Sequence, residues 1–239
     1  MDHVFVALGS QWDTRGGLLL RAANRILRRR ARVTLQPLID PSVDMSTTEQ
    51  RMNLVHLAEQ VLAYRVPGDF VEFGTFTGES AFILAKVLLD NGSSKVFHCY
   101  DSFEHSIGES RPPKEVLRRR FEQGALPFPE LHEGRFEDTV PAELPARIAF
   151  INIDCGWGGP PDEHSRIVEH LLRHAWPRLS AGGILLMTDY CDPDRHPPDG
   201  TNPGVKMACD RFFGTSVKPG QLWGGGYTQG YLRKPLDGD

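Results

Sequence analysis

The sequence predicts an α/β protein, a mostly parallel sheet with helices on both faces. Three observations predict it. Short apolar runs alternate with helical patterns along most of the chain. The first apolar run breaks into a glycine-rich turn, VPGDFVEFGTFTGES (66–80). Acids then stand at the ends of successive runs, although carboxylates are poor strand residues and resist burial. They are Glu72, Asp101, Asp138, Asp154 and Asp189.

Taken in order, residues 15–33 (RGGLLLRAANRILRRRARV) hold seven arginines and no acid. Such a segment is compatible with a transit peptide or a membrane-surface helix. Helical spacing of Leu18, Ala22 and Ile26 favours a helix that packs on the domain or on a second subunit. Ser46, Thr47 or Thr48 can cap a helix running to about Tyr64. DFVEF (69–73) reads as a strand and ESAFILAKVLLD (79–90) as a helix stopped by Asn91-Gly92. KVFHCYD (95–101) is a second strand. Residues 111–124 contain a helix opened by prolines and closed by glycine. ELHEGRF (130–136) is a polar third strand near an edge, and ARIAFINID (146–154) a buried fourth. A helix over 165–179, a strand over 182–190, a helix over 202–214 and a strand over 227–234 complete the series.

Composition narrows the functional classes. Of the 239 residues, 24% are charged, with a formal net charge of −4, which gives no basis for a nucleic-acid or anionic-membrane partner. No apolar run approaches a membrane span. The four cysteines form no CxxC pair, and no secretion signal is evident, so a reducing cytoplasm is expected.

Parallel sheets bind ligands beyond the carboxyl ends of their strands. The turn after the first strand lacks the lysine of a phosphate-gripping loop, and its G-x-x-x-G spacing is not that of a dinucleotide turn. Glu72 would repel a pyrophosphate. A ligand with a carboxylate for the helix N-terminus, a cationic centre for the acids and a ribose for Asp101 fits better. S-adenosylmethionine has all three parts. Each residue also has a plainer reading as a cap or turn, and it is their order along the chain that favours a cofactor.

VPGDFVEFGTFTG, YDSFE after the second strand, GRFEDTVP after the third, NID at the fourth, PRLSAGG, DY and the terminal YTQGYLRK carry a resemblance. From about Leu18 to Lys234 the chain resembles the macrocin O-methyltransferase family, whose members methylate deoxysugar hydroxyls. The resemblance implies a class I, Rossmann-like methyltransferase fold: a seven-stranded, mostly parallel sheet with an N-terminal helical extension. Residues 1–65 would form the helical arm or cap, and 66–239 the methyltransferase domain. Glu72, Gly74, Thr75, Gly78 and Ser80 would surround the methionine moiety. Asp101, Ser102 and Phe103 would hold ribose and adenosine, with Phe136, Glu137 and Asp138 at the adenine. Asp154 would border the cofactor and, with Asp189, hold a magnesium ion.

Methyl transfer to a weakly nucleophilic hydroxyl needs alignment, and magnesium gripping the acceptor would lower its pKa. The sequence departs from the family here. Thr188-Asp189-Tyr190 replaces two adjacent acids before the tyrosine, and WGGPP (157–161) interrupts the region after Asp154. Asp162, Glu163 or Asp192 are possible substitute ligands. Trp157 is a candidate platform for a substrate ring. His196 is the candidate base, with His164 a second, each also readable as a solvated surface histidine. The expected activity is O-methylation of a small hydroxylated acceptor, a sugar or phenol of a natural product, by a homo-oligomer. The alternatives are a nicotinamide-dependent oxidoreductase and a methyltransferase-fold protein that binds S-adenosylmethionine for a cyclisation or rearrangement.

Overall fold

Strand β1 (Asp69–Phe73) is the centre of the sheet because its sequence can be buried on both faces. Phe70 packs on one side and Val71 and Phe73 on the other, all completely inaccessible to solvent. The period of two in side-chain direction does this directly. The structure, a computed structural model, describes residues 18–31, 46–105, 112–156, 159–192, 203–224 and 227–236.

Around β1 lie β2 (Phe97–Asp101), β3 (Glu130–Glu133), β4 (Ile148–Ile153), β5 (Leu179–Thr188), β6 (Gly220–Gly224) and β7 (Tyr227–Arg233). They form one seven-stranded sheet in the order β3-β2-β1-β4-β5-β7-β6. β7 runs antiparallel to both β5 and β6, and the remaining pairs are parallel. The chain moves outward from β1 through β2 to β3, then returns to the other side of β1 at β4. That reversal is the point at which such sheets open a crevice at the carboxyl ends of their strands.

One face is covered by α2 (Thr48–Ala63), α3 (Glu79–Asp90) and α4 (Pro113–Gly124). Leu54, Ala58, Val61, Ile83, Leu84, Leu117 and Phe121 pack there against Phe70, Phe150 and Leu186. The other face receives α6 (Pro161–Ala175) and α7 (Gly204–Phe213), through Val168, Leu171, Leu172, Val205 and Ala208. Full burial of a large aliphatic or aromatic side chain contributes roughly 1.5–3 kcal/mol, so these two layers dominate stability. Thr47 caps α2 in a reciprocal box: its hydroxyl accepts from Gln50 N–H, and the Gln50 side chain accepts from Thr47 N–H. α2 falls within the span read as the N-terminal arm, and its apolar residues join the same core cluster as α3, α4 and that face of the sheet.

Several boundaries differ from the sequence reading. β3 stops at Glu133, and Phe136–Thr139 form a short helix, α5. Phe136 therefore opens a helical turn, shared with Glu137 and Asp138, instead of ending an edge strand. α6 starts at Pro161, four residues before Ser165, because proline fits the first helical position and Asp162 and Glu163 favour the helix dipole. Pro160 and Pro161 of the WGGPP segment are thereby the N-cap and first residue of the helix. β6, with glycine at each end and an exposed Trp223, carries too little apolar signal to read as a strand. In α1 (Leu18–Ala31), Ala22 and Ile26 are exposed, with Ile26 63% accessible, so the described residues do not cover them.

Candidate active site

Gly74 ends β1 at φ +88° and donates its N–H to the Tyr100 carbonyl at 2.9 Å. Beside it, Asp154 N–H donates to the Phe73 carbonyl at 2.9 Å. These bonds bring the carboxyl ends of β1, β2 and β4 so close that a Cβ on Gly74 would lie 2.0 Å from the Asp154 carbonyl oxygen. Only glycine supplies both the positive φ and the close approach. Gly78, at φ +78°, is the N-cap of α3 and offers no side-chain cap. No N-cap side chain bonds the first turn of α3, and backbone N–H groups at a helix start suit an anionic ligand.

This corner opens into a cleft of about 320 Å³. Gly74, Thr75 and Ser80 line it, as do Asp101, Ser102, Phe136, Glu137 and Asp154. Asp101 ties two loops to the strand end, accepting from Phe76 N–H at 2.8 Å and Phe103 N–H at 2.6 Å. Each carboxylate oxygen keeps further lone-pair capacity for a ligand hydroxyl. Phe136 meets Phe73 edge-on, with ring centroids 5.9 Å apart, and presents its remaining surface to the cleft. Left-handed backbone at Phe76 (φ 48°), Phe103 (φ 55°) and Asp189 (φ 61°) follows three of the strand ends. Such strain concentrates at sites where surrounding structure over-determines a conformation.

Other residues proposed from the sequence lie around the cleft without lining it. Glu72 is fully buried behind Thr75 and Ser80, and Asn152 Nδ2 donates to its Oε2 at 3.0 Å. Gly78 sits against Leu117, and Phe103 packs against the core. Asp138 is exposed on α5. Asp189 reaches over Gly156, where an added Cβ would meet its Oδ2 at 2.6 Å. Asp162 pairs outward with Arg211 at 3.2 Å, while Asp192 is buried. His164 is only 1% accessible, so it is not the solvated surface histidine that the sequence also allowed. His196 and Trp157 fall outside the described residues.

The sequence reading missed Glu79, Arg51 and Asn152. Glu79, in the first turn of α3, borders the cleft and pairs with Arg51 of α2; both are buried. The pair matters because an uncompensated Glu79 would oppose an anion at that helix end. Nothing in sequence connects residues so far apart, whereas Asn152 was visible as a lone polar residue in the apolar run IAFINI.

The site concentrates negative charge away from water. Burial pushes Glu72 up to about 7, with Asp101 adding to the rise, while the Asn152 amide and the nearby Ser80 and Thr75 hydroxyls pull the other way. Burial likewise raises Asp101. Asp154 is held well above the ordinary carboxylate range, by burial first and then by Asp189, Glu72 and Glu79. Glu72 Oε1, Thr75 Oγ1 and Asn152 Oδ1 are buried without hydrogen-bond partners among the described residues. Such a constellation suits a ligand that brings positive charge and donors.

The Glu72 shift gives stability a pH signature. A carboxyl that titrates near 4.5 unfolded and about 7 folded stabilises the fold fully below 4.5, and this contribution is lost as pH rises to 7. At one pKa unit per ~1.4 kcal/mol, the loss is about 3 kcal/mol. Glu72→Gln is therefore expected to gain stability relative to wild type between pH 5 and pH 8 in urea denaturation. Parallel stability–pH curves for the two proteins would contradict the assignment.

A family profile describing a methyltransferase domain matches residues 71–190, just over half of the chain. The chain belongs to this methyltransferase family. Within the family's span lie the carboxyl end of β1, all of β2 to β5, and the acids Glu72 to Asp189. The chain is 31% identical over 160 residues to 8-demethyl-8-(2,3-dimethoxy-alpha-L-rhamnosyl)-tetracenomycin-C 4'-O-methyltransferase of Streptomyces olivaceus, covering 58% of this chain and 59% of that protein. It is 28% identical over 166 residues to mycinamicin III 3''-O-methyltransferase of Micromonospora griseorubida, covering 59% and 62%. The chain thus spans about three fifths of the length of these curated relatives. Among solved structures, the O-methyltransferase NovP superposes with a TM-score of 0.63 at 19% identity, covering 79% of this chain and 80% of NovP. That likeness establishes the fold, a class I, Rossmann-like methyltransferase architecture.

Proposed function

We propose that this methyltransferase transfers a methyl group from S-adenosylmethionine to a hydroxyl of a natural product, with a sugar hydroxyl as the preferred acceptor. The observation that carries the reading is the cleft at the sheet's reversal point, walled by the Gly74–Ser80 turn and by Asp101. The names of both curated relatives, the 4'-O-methyltransferase of a rhamnosyl-tetracenomycin and the 3''-O-methyltransferase of mycinamicin III, support the acceptor class.

The residues fit the donor molecule. The uncapped α3 N-terminus would receive its carboxylate, with Ser80 alongside and Arg51 neutralising Glu79. Buried Glu72, with its unpaired Oε1, would favour the cationic amine and sulfonium. Asp101 would accept from the ribose hydroxyls, with Ser102 and Phe103 shaping that loop. Phe136, Glu137 and Asp138 would border the adenine. S-adenosylmethionine supplies the electrophilic methyl group; the chain's task is to align an acceptor oxygen and remove its proton. His196 is the proposed base.

A magnesium ion is part of the proposal. Asp154 and Asp189 raise one another's energy when both are charged, and two hard carboxylates suit a divalent cation that retains waters. They would hold the ion against the acceptor hydroxyl and lower its pKa. A homo-oligomer covering the exposed face of α1, at work in the cytoplasm, completes the reading. Among the described residues no helix is long and apolar enough to cross a membrane.

Labelled S-adenosylmethionine, incubated with glycosylated hydroxyl acceptors with magnesium and with EDTA, tests these points. Label is expected in product only with metal, and Asp154→Asn is expected to lower turnover by about 10²-fold or more, the scale of losing a preorganised electrostatic group. Tight cofactor binding with no transfer to any hydroxyl would favour the cyclisation or rearrangement reading. Calorimetry showing no affinity for S-adenosylmethionine or S-adenosylhomocysteine would overturn both.

A further inference from the structure

On the sheet edge farthest from β6, the parallel register of β2 and β3 pairs His98 with Glu130 and Tyr100 with His132. Side chains two apart share a face, so His98, Glu130 and His132 converge on one side of the two strands. His98 Nδ1 lies 3.0 Å from His132 Nε2 and 3.3 Å from Glu130 Oε2. The three donor atoms are all within 4.8 Å of one another. His98 is buried, His132 half-buried and Glu130 exposed, so the group is walled on one side and open to solvent on the other.

A second ring of carboxylates sets the imidazoles. Glu143 Oε2 is 2.6 Å from His132 Nδ1, and Asp69 Oδ2 is 3.9 Å from His98 Nε2. Tyr100 stacks on the His132 ring with centroids 4.2 Å apart and donates its hydroxyl to the Glu143 carbonyl at 2.7 Å. A neutral imidazole carries one proton. With the His132 proton directed at Glu143, His132 Nε2 presents a lone pair toward His98 Nδ1, and the Glu130 carboxylate adds a second acceptor beside it. A metal ion among them would satisfy both and, with the His98 proton on Nε2, would take the His98 Nδ1 lone pair as a third ligand.

We propose that His98, Glu130 and His132 bind one divalent transition-metal ion, zinc being the best match, and so clip the edge strand β3 to β2. Bonds of about 2.0–2.1 Å in a tetrahedron place donors about 3.3 Å apart, close to the two separations measured from His98 Nδ1. Two imidazoles select zinc, nickel or copper over magnesium, so this site is chemically distinct from the Asp154–Asp189 pair. The Glu143 carboxylate behind His132 is the usual outer support of such a ligand. Glu130 faces solvent, which leaves room for a water as the fourth ligand. A clip there steadies a four-residue edge strand that begins and ends on glutamate.

The test is calorimetric titration of tag-free, chelator-stripped full chain with zinc chloride at neutral pH. One zinc per chain at micromolar or tighter affinity is expected, with a rise in thermal midpoint. Co²⁺ should give the visible absorption of four-coordinate geometry. His132→Gln should abolish stoichiometric binding, Glu130→Gln should weaken it at least ~10-fold, and Glu143→Gln should weaken it roughly 10–100-fold. Glu130 is exposed, so its substitution keeps the fold even if that of His132 does not. Asp189→Asn should leave zinc affinity unchanged, which separates this site from the proposed magnesium pair. Absence of one-to-one zinc binding in the wild type, meaning that the histidines merely share a proton, overturns the proposal. So does binding that survives Glu130→Gln undiminished.

Discussion

Gly74→Ala is expected to lose cofactor binding altogether and to unfold well below the wild-type temperature. The new Cβ would sit 2.0 Å from the Asp154 carbonyl oxygen and 2.6 Å from its carbonyl carbon, backbone atoms that have no rotamer to escape into. At φ +88° an alanine also incurs roughly 1–2 kcal/mol of left-handed strain before any clash is counted. Relief requires the ends of β1 and β4 to part, which breaks the bond from Asp154 N–H to the Phe73 carbonyl and shifts Asp154 itself. The sum is about 3 kcal/mol or more, a drop of roughly 6–12 °C in a domain of this size. Thermal unfolding and S-adenosylhomocysteine titration measure the two effects together. A variant that melts within two or three degrees of wild type and still binds would show that the strand ends are far more yielding than described.

Asp101→Ala is expected to weaken S-adenosylhomocysteine binding by at least about 100-fold while leaving most of the fold intact. Two charge-assisted hydrogen bonds from a ribose, as proposed for Asp101, would contribute roughly 1.5–3 kcal/mol each, and both would be lost. The substitution also releases Phe76 N–H and Phe103 N–H, which now hold the turn after β1 and the loop after β2. Asp101→Asn separates the contributions, because its single amide oxygen can serve one of those N–H groups but not both, and it carries no charge. An intermediate loss is expected for Asn. Affinity within threefold of wild type for both variants would remove Asp101 from the ribose site and leave it a loop anchor.

How much of this was legible beforehand depends on the range of each interaction. β1 (69–73) and α3 (79–90) fall where the sequence placed them, because a buried strand followed by glycines and an amphipathic helix is a local pattern. Gly74 and Asp101 were legible for the same reason: a glycine after a strand and an acid at a strand end are written in neighbouring residues. α6 began earlier than expected since prolines were read as part of a loop when Pro161 in fact opens the helix. β6 was invisible because its partner, β7, supplies the order that its own glycine-rich sequence lacks.

The sequence by itself determined the layered α/β plan, the carboxylates at the strand ends and the glycines of the turn that follows β1. These follow from periodicity and from the conformations that individual residues allow. Only the tertiary structure decided which acids share a desolvated corner, that Arg51 neutralises Glu79, and that His98 meets His132 across an edge. Those are contacts between distant segments, with energies set by separation and burial after the sheet has assembled.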